Sequence, residues 1–192
     1  MRRRMRRGDR REQILTMATA AFAAQGFAAT SVDDVAEAAG ISRAILYRHF
    51  ESKADLYRAV ISRARGRLAA VVGEPDYDAS IIDALLQGAA QDPDGFRLLF
   101  THATREPEFR AEMDGFARHM QSVAAEQLGR KIRDPAWADW AARLMPVVTT
   151  AAITAWLDAG QPQPRTAATR IRSALTGILD VARDDEPMPD ST

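Results

Sequence analysis

The chain has 192 residues and a formal net charge of zero; 46% of the residues are hydrophobic and 27% are charged, the balance of a globular protein that can bury a core. It contains no cysteine, which excludes disulfides and thiolate metal sites. The longest apolar run, residues 144–157, is too short to span a bilayer, and no apolar stretch of the signal-peptide kind follows the arginine-rich start, so we expect a cytoplasmic protein.

The zero net charge conceals an uneven distribution. Residues 1–72 contain 14 Lys and Arg against 7 Asp and Glu, whereas the rest of the chain contains 12 against 19. This division indicates a polyanion-binding end and a different task at the other end, unless the charges simply cluster on solvated faces. Residues 1–8, with five arginines, are expected to form a disordered basic arm. The arm either adds salt-sensitive attraction to phosphates or is a solvated tail.

Apolar residues at helical spacing predict about nine helices and no strand. The predicted helices cover approximately residues 9–25, 32–39, 43–50, 53–72, 79–90, a segment from 93, 107–129, 135–158 and 165–182. Gly26 and Gly40 are placed to end the first two helices. Capping boxes that start at Ser31 and Ser52 are placed to open the second and the fourth.

The third predicted helix is short and has a distinctive outer face. Ser42 is positioned to cap it, and with so few residues it can be stable only if it packs on its neighbours. Leu46 and Phe50, four residues apart, are placed to provide that packing. The spacing leaves four residues that face away from the core: Arg43, Ala44, Tyr47 and Arg48.

These outward residues have the chemistry of a helix-turn-helix, in which a short second helix lies in the major groove of DNA. Arg43 can bond two acceptors of guanine, and Tyr47 can bond a phosphate or pack on a thymine methyl group. His49 and Lys53 are placed for phosphate contacts. Other interpretations stay open at this point: Arg43 could be a solvated charge, Tyr47 could cover a helix junction and His49 could cap the helix.

Residues 9–57 resemble the DNA-binding domain of TetR-family transcriptional regulators. The resemblance covers about a quarter of the chain, in one order and spacing. It rests on Ile14-Leu15, Ala18, Ala21, Phe22, Gly26-Phe27, Thr30-Ser31, Val35-Ala36, Ala39-Gly40-Ile41-Ser42, Leu46-Tyr47, His49-Phe50, Ser52-Lys53 and Leu56. It implies a homodimer that binds a palindromic operator in double-stranded DNA, most often as a repressor released when a small molecule enters the C-terminal domain.

The resemblance also assigns DNA-contacting positions. The residues that fall where family members commonly touch DNA are Ser31, Ser42, Arg43, Ala44, Tyr47, His49 and Lys53. Arg48 falls at a variable position, where it either contacts a base or phosphate or faces solvent.

The expected fold is all-α with two functional domains. An N-terminal three-helix helix-turn-helix domain covers residues 9–55, and a C-terminal helical domain for ligand binding and dimerisation covers residues 56–183. The long helix at 53–72 links the two, and a break with glycine and proline follows it at 73–77. A disordered tail is expected at 184–192.

The ligand-binding candidates in the C-terminal domain are aromatic residues, methionines and polar residues inside apolar stretches, each of which could instead belong to a helix-bundle core. They are Phe96, Phe100, His102, Phe116, Met120, Met145, Thr149 and Trp156. Pro146 is expected to kink its helix and open space beside Thr149. The expected effector is an apolar small molecule.

The family resemblance implies that the last two helices, residues 136–158 and 165–181, form the dimer interface. Small or flat apolar side chains suit such an interface because they let helices approach closely. The candidates are Val148, Ala151, Ala155, Ile171, Leu175 and Ile178.

Two functions are compatible with these features. The first is a ligand-released repressor, and the second is an architectural or weakly specific DNA-binding dimer without a small-molecule ligand, which the basic arm favours. No paired carboxylates, nucleotide loop or other catalytic constellation is present, so we expect neither enzyme activity nor a metal or cofactor.

Overall fold

A computed structural model describes residues 7–73 and 80–183. This part of the chain contains nine α-helices and no strand, as the sequence predicts. The helices are α1 (Arg7–Ala29), α2 (Val32–Ala38), α3 (Arg43–Tyr47), α4 (Lys53–Val72), α5 (Ile81–Gln91), α6 (Pro93–Arg97), α7 (Arg110–Leu128), α8 (Pro135–Asp158) and α9 (Pro164–Arg183). The predicted arm and tail lie outside the described residues, except for positions 7 and 8, which are helical.

The chain between α6 and α7 differs from the prediction. The helix predicted for residues 107–129 begins only at Arg110, and α6 has only five residues. The intervening chain forms one π-helical and two 3-10 turns: Leu98–His102, Ala103–Arg105 and Pro107–Phe109. A proline disfavours helical backbone in the residue before it, and Glu106 is accordingly extended, with φ −85° and ψ 114°.

The helices form two compact units. Among the described residues, the first unit contains 7–73 and 87–114, and the second contains 80–86 and 115–183. Helices α5 and α7 each contribute residues to both units.

Helix α1 is central to the first unit, where it packs against α2, α4, α6 and the π-helical turn. Its contact with α4 includes a polar cluster, in which Arg63 donates hydrogen bonds to Glu12 and Thr16 at 2.8 Å each. The Arg63 side chain is 9% exposed. Its hydrogen bond and charge lower the pKa of Glu12.

Four rings form an aromatic cluster in the first unit: Phe22, Phe27, Tyr57 and Phe109. The centroid of the Tyr57 ring lies 4.5 Å from that of Phe109 and 4.8 Å from that of Phe22. Phe27 lies 4.9 Å from both Tyr57 and Phe109. The cluster therefore joins α1 and α4 to the turn that precedes α7.

The second unit is built on the packing of α8 against α9. Its core contains mostly small side chains, which allow the helices to approach closely: Ala124, Leu128, Ile132, Ala138, Ala141, Ala142 and Ala182. Pro146, where the sequence predicts a kink, lies inside α8. The Thr150 hydroxyl donates to the Pro146 carbonyl at 2.9 Å. No helix within residues 7–73 and 80–183 is long and apolar enough to cross a membrane.

Candidate nucleic-acid interface and ligand cavity

The tight turn before α3 is formed by glycine and closed by backbone hydrogen bonds. Gly40 has φ 62°, a conformation that favours glycine. The N–H of Ile41 donates to the Ala36 carbonyl at 3.0 Å, which is the long bond of a Schellman motif. Ser42 then caps α3, because its Oγ accepts from the Ile45 N–H at 3.4 Å. Helix α3 is shorter than predicted and ends at Tyr47.

Buried side chains on one side of α3 hold it in place. Leu46 is fully buried and Phe50 is 2% exposed, as the spacing predicts. The opposite side is accessible, and the exposed residues there are Ser42, Arg43, Ala44, Tyr47 and Arg48. A helix of five residues with one buried side and one exposed polar side has the dimensions of a major-groove reader.

Arg43 connects this exposed face to α2. Its Nη1 lies 3.1 Å from Oδ2 of Asp33, and its guanidinium carbon lies 5.5 Å from the centroid of the Tyr47 ring. The Arg43 side chain is 59% exposed, so both contacts are open to solvent. Arg43 can exchange the Asp33 carboxylate for a base edge or phosphate at little cost, since an exposed ion pair is weak.

Ser31 is held at the start of α2 by the predicted capping box. Its Oγ accepts from the Asp34 N–H at 3.0 Å, and its own N–H donates to Oδ2 of Asp34 at 2.8 Å. The hydrogen bond from the Ser31 N–H contributes most to lowering the pKa of the Asp34 carboxyl, and the Ser31 side chain adds to it. The box predicted at Ser52 is only half formed, since Asp55 accepts from the Glu51 N–H rather than from the cap residue.

The two residues predicted for phosphate contacts beyond α3 are partly buried. The Lys53 ammonium lies 4.4 Å from the centroid of the Phe27 ring and donates to the Ala28 carbonyl at 3.4 Å. An ammonium has three donors, so this long bond leaves capacity for a phosphate. His49 is half-buried, with its ring centroid 6.5 Å from that of Phe50.

Residues 14–60, which extend from α1 into α4 and include the whole of α2 and α3, match the family model described as bacterial regulatory proteins of the tetR family. These residues are a DNA-binding domain of the TetR family. The family is a class of transcription regulators and not of enzymes. Within the described residues no group of three or more His, Asp or Glu side chains is arranged to hold a metal ion.

Curated TetR-type regulators are similar to this chain over a longer stretch of sequence. The chain is 31% identical over 119 residues to the HTH-type transcriptional activator FasR of Mycolicibacterium smegmatis, a match that covers 57% of this chain and 54% of FasR. It is 30% identical over 122 residues to the HTH-type transcriptional repressor AcnR of Corynebacterium diphtheriae, covering 63% of this chain and 64% of AcnR. The chain thus spans between half and two thirds of these relatives.

The fold of a TetR-like transcriptional regulator from Rhodococcus sp. RHA1 extends over nearly the whole chain. The two structures superpose with a TM-score of 0.78 at 22% identity, and the match covers 92% of this chain and 99% of that one. At this identity the likeness establishes the fold. It extends to the second unit, which lies outside residues 14–60, the segment that the family model matches.

A cavity of about 280 Å³ lies within the second unit, between residues of α5, α7, α8 and α9. Two of the predicted ligand-binding residues, Met145 and Thr149, line it. The other six predicted ligand-binding residues do not line this cavity: Phe96, Phe100, His102, Phe116, Met120 and Trp156. The first three of these belong to the first unit, where Phe96 is buried in its core.

Most of the cavity lining was not predicted from the sequence. The lining residues without a predicted ligand role are Ile81, Ile82, Ala124, Gln127, Leu128, Lys131, Arg172, Leu175, Thr176, Leu179 and Arg183. One signal was readable in α9, where lining residues recur at intervals of three or four along a single helix face. Which other helices meet that face depends on contacts between distant segments, and periodicity does not report them.

Five of the six predicted dimerisation residues are accessible. Ala151 and Ala155 are exposed, and Val148, Ile171 and Ile178 are half-buried. Leu175 is 2% exposed and lines the cavity, so it is not available to a second copy. Other large apolar side chains on the same two helices are also exposed: Trp137, Trp140, Val147 and Val181.

Proposed function

We propose that this chain is a sequence-specific DNA-binding regulator that represses transcription as a homodimer and releases a palindromic operator when a small-molecule effector binds its C-terminal region. The observation that carries the proposal is the face of α3, which presents an arginine and a tyrosine on a short, capped helix anchored by Leu46 and Phe50. This arrangement supports direct reading of base edges, with Arg43 as the residue suited to guanine.

The accessible apolar surface of α8 and α9 supports the homodimer. Val147 is 61% exposed and Val181 is 54% exposed, both unusual for valine in a helix of a folded unit. A two-fold symmetric interface would bury such side chains against their counterparts and would place two copies of α3 on successive half-sites. The half-sites of the operator would then be related by a palindrome.

The cavity of the second unit supports the effector. Its volume is near the lower end of ligand pockets, and its walls are largely apolar with a few polar groups. An effector shifts DNA binding only if it has different affinity for the two conformations of the protein. Helices α5 and α7, which contribute to both units, are continuous stretches of chain that can carry this difference.

The direction of regulation is proposed as repression, although one relative, FasR, is named an activator and another, AcnR, a repressor. The experiment that tests the whole proposal is footprinting of the purified protein on the DNA upstream of its own gene, at physiological salt, followed by transcription of that DNA in vitro. We expect a symmetric footprint and reduced transcription. Absence of a footprint would reject a sequence-specific regulator at this site, and increased transcription would reject repression.

The alternative is an architectural DNA-binding dimer without a small-molecule ligand. Its support is the excess of basic residues in residues 1–72. Nonspecific binding is driven almost wholly by counterion release, so it depends steeply on salt and little on sequence. Affinities for the footprinted site and for random DNA, measured at two salt concentrations, therefore separate the two functions. If the affinity for the footprinted site equals the affinity for random DNA at each salt concentration, the result supports the architectural protein.

A further inference from the structure

The cavity of the second unit has largely apolar walls, and the charged side chains that line it all carry the same sign. Its apolar walls come from all four contributing helices: Ile81, Ile82, Ala124, Leu128, Met145, Leu175 and Leu179. Three cationic side chains also line it, namely Lys131, Arg172 and Arg183. No aspartate or glutamate is among its lining residues. An apolar pocket with an excess of positive charge is complementary to a ligand that carries one anionic group on a hydrocarbon body.

The position of the charges defines the orientation of such a ligand. Lys131 and Arg183 are exposed residues that also reach the cavity, whereas Leu175 and Ala124 are buried. The charges therefore lie towards solvent and the hydrocarbon walls lie inside. Arg172 is already engaged by Asp83 of α5 through a contact of 2.6 Å between Nη2 and Oδ2. Lys131 and Arg183 are thus the side chains that would meet an incoming anion.

The volume limits the size of the hydrocarbon body. A water molecule occupies about 30 Å³ of liquid, so a cavity of about 280 Å³ takes on the order of nine or ten non-hydrogen atoms. A medium-length unbranched chain fills this space and leaves its head group at the mouth. A polycyclic or larger ligand would need the walls to move.

We propose that the cavity binds an amphipathic monoanion, a carboxylate on a hydrocarbon of about eight to ten carbons, with the carboxylate between Lys131 and Arg183. That this ligand is the effector rests on the proposed function. The sequence predicts only an apolar effector. This proposal adds an anionic group, which Lys131 and Arg183 would bind.

The test measures binding by calorimetry to the intact, purified chain with three probes of equal tail length: decanoate, decan-1-ol and decyltrimethylammonium. We expect decanoate to bind about tenfold or more tightly than decan-1-ol, the effect of a charge-assisted hydrogen bond, and decyltrimethylammonium to bind most weakly. From hexanoate to decanoate the affinity should rise about three- to fourfold per added carbon and then level off at dodecanoate. Equal affinity for the three head groups would overturn the proposal.

Matched variants locate the site. The double variant K131Q/R183Q should remove the preference for decanoate over decan-1-ol, whereas R130Q, which changes a neighbouring exposed arginine outside the cavity, should retain it. L179W adds bulk at a half-buried lining position and should weaken decanoate and decan-1-ol alike. Circular dichroism confirms that each variant is folded. Retention of the decanoate preference in folded K131Q/R183Q would also overturn the proposal.

The outcomes also separate this proposal from the proposed function. Decanoate binding without any footprint on DNA would reject the regulator and leave the ligand site standing. A footprint without decanoate binding would leave the regulator standing and reject the site. Decanoate binding that leaves the DNA affinity unchanged would reject its role as effector.

Discussion

The side chain of Glu106 accepts a hydrogen bond from the backbone N–H of Phe27, with 2.9 Å between Oε1 and the nitrogen. Gly26, directly before Phe27, has φ 80° and breaks the regular part of α1. A Cβ at Gly26 would lie 3.3 Å from Oε1 of Glu106, tighter than most side-chain contacts. The glycine therefore both interrupts α1 and makes room for the carboxylate, which joins the turn before α7 to the start of the helix-turn-helix.

Replacement of Glu106 by alanine is expected to destabilise the first unit. The Phe27 N–H would lose its acceptor in a half-buried position, which costs about 1–2 kcal/mol of the free energy of unfolding. E106Q keeps an acceptor oxygen at the same place and should lose less. Denaturant unfolding at one fixed protein concentration measures both. Equal losses for the two variants would mean that the charge, and not the hydrogen bond, is what matters.

The Tyr57 hydroxyl is buried and has no hydrogen-bond partner within the described residues. Phenylalanine at this position removes an unsatisfied polar group while keeping the ring in the aromatic cluster. We therefore expect Y57F to be as stable as the natural chain at pH 7 or more stable by up to about 1 kcal/mol. Y47F, at an exposed tyrosine, is the control and should be neutral.

High pH provides a second readout for Tyr57. Burial, with a smaller contribution from Glu106, raises the pKa of the Tyr57 hydroxyl above its ordinary value of about 10. Above that value the unfolded chain loses the proton while the folded chain keeps it, so the free energy of unfolding falls as pH rises. The difference in the free energy of unfolding between Y57F and the natural chain should therefore grow, in favour of Y57F, above about pH 10. A constant difference between the two proteins from pH 8 to pH 11 would contradict this assignment.

The local signals of the first unit were readable in sequence. Gly40 and the caps at Ser31 and Ser42 act through neighbours within a few residues, so their sequence pattern is sufficient to predict them. The π-helical turn at Leu98–His102 was not readable, because it packs against α1, far away in the chain. Local propensity alone favoured a continuing helix there.

The cavity was mostly missed for a similar reason. Arg172 and Asp83, which form an ion pair, are 89 positions apart in sequence, and no local pattern connects α9 to α5. Leu175 shows the same limit, since its helical spacing places it with Ile171 and Ile178, yet it is buried against the cavity. Spacing identifies which residues share a face, but it does not identify which face meets solvent.

Asp34 is expected to give the capping box a characteristic pH dependence. The hydrogen bonds from Ser31 lower the pKa of Asp34 in the folded state. The ionised Asp34 carboxylate therefore stabilises the folded chain above the ordinary pKa of an aspartate, and this contribution is lost as pH falls through the lowered folded-state pKa. D34N should therefore be less stable than the natural chain at pH 7, and the difference should disappear in the acid range. Thermal unfolding between pH 7 and pH 2 measures this. A difference that persists below both pKa values would point to a steric cause.

Introduction of charge on α8 is expected to dissociate the proposed homodimer. A151E places a glutamate at an exposed alanine next to Val147 and Val148, where a second copy would bury it next to its own symmetry mate. A125E makes the same change at an exposed alanine of α7 and should leave the oligomeric state unchanged. Analytical ultracentrifugation at several concentrations distinguishes the two variants. If A151E remains dimeric and A125E does not, the interface lies on a different face.

Arg43 is expected to carry base recognition without contributing to stability. Its pair with Asp33 is exposed, so R43A should change the free energy of unfolding by less than about 0.5 kcal/mol. Loss of a bidentate contact to guanine should weaken operator binding by about 1–3 kcal/mol and relax the preference at one base pair. R130A, an exposed arginine of the second unit, is the control. If R43A instead weakens binding equally on all DNA sequences and reduces the slope of log affinity against log salt concentration by about one, Arg43 contacts a phosphate.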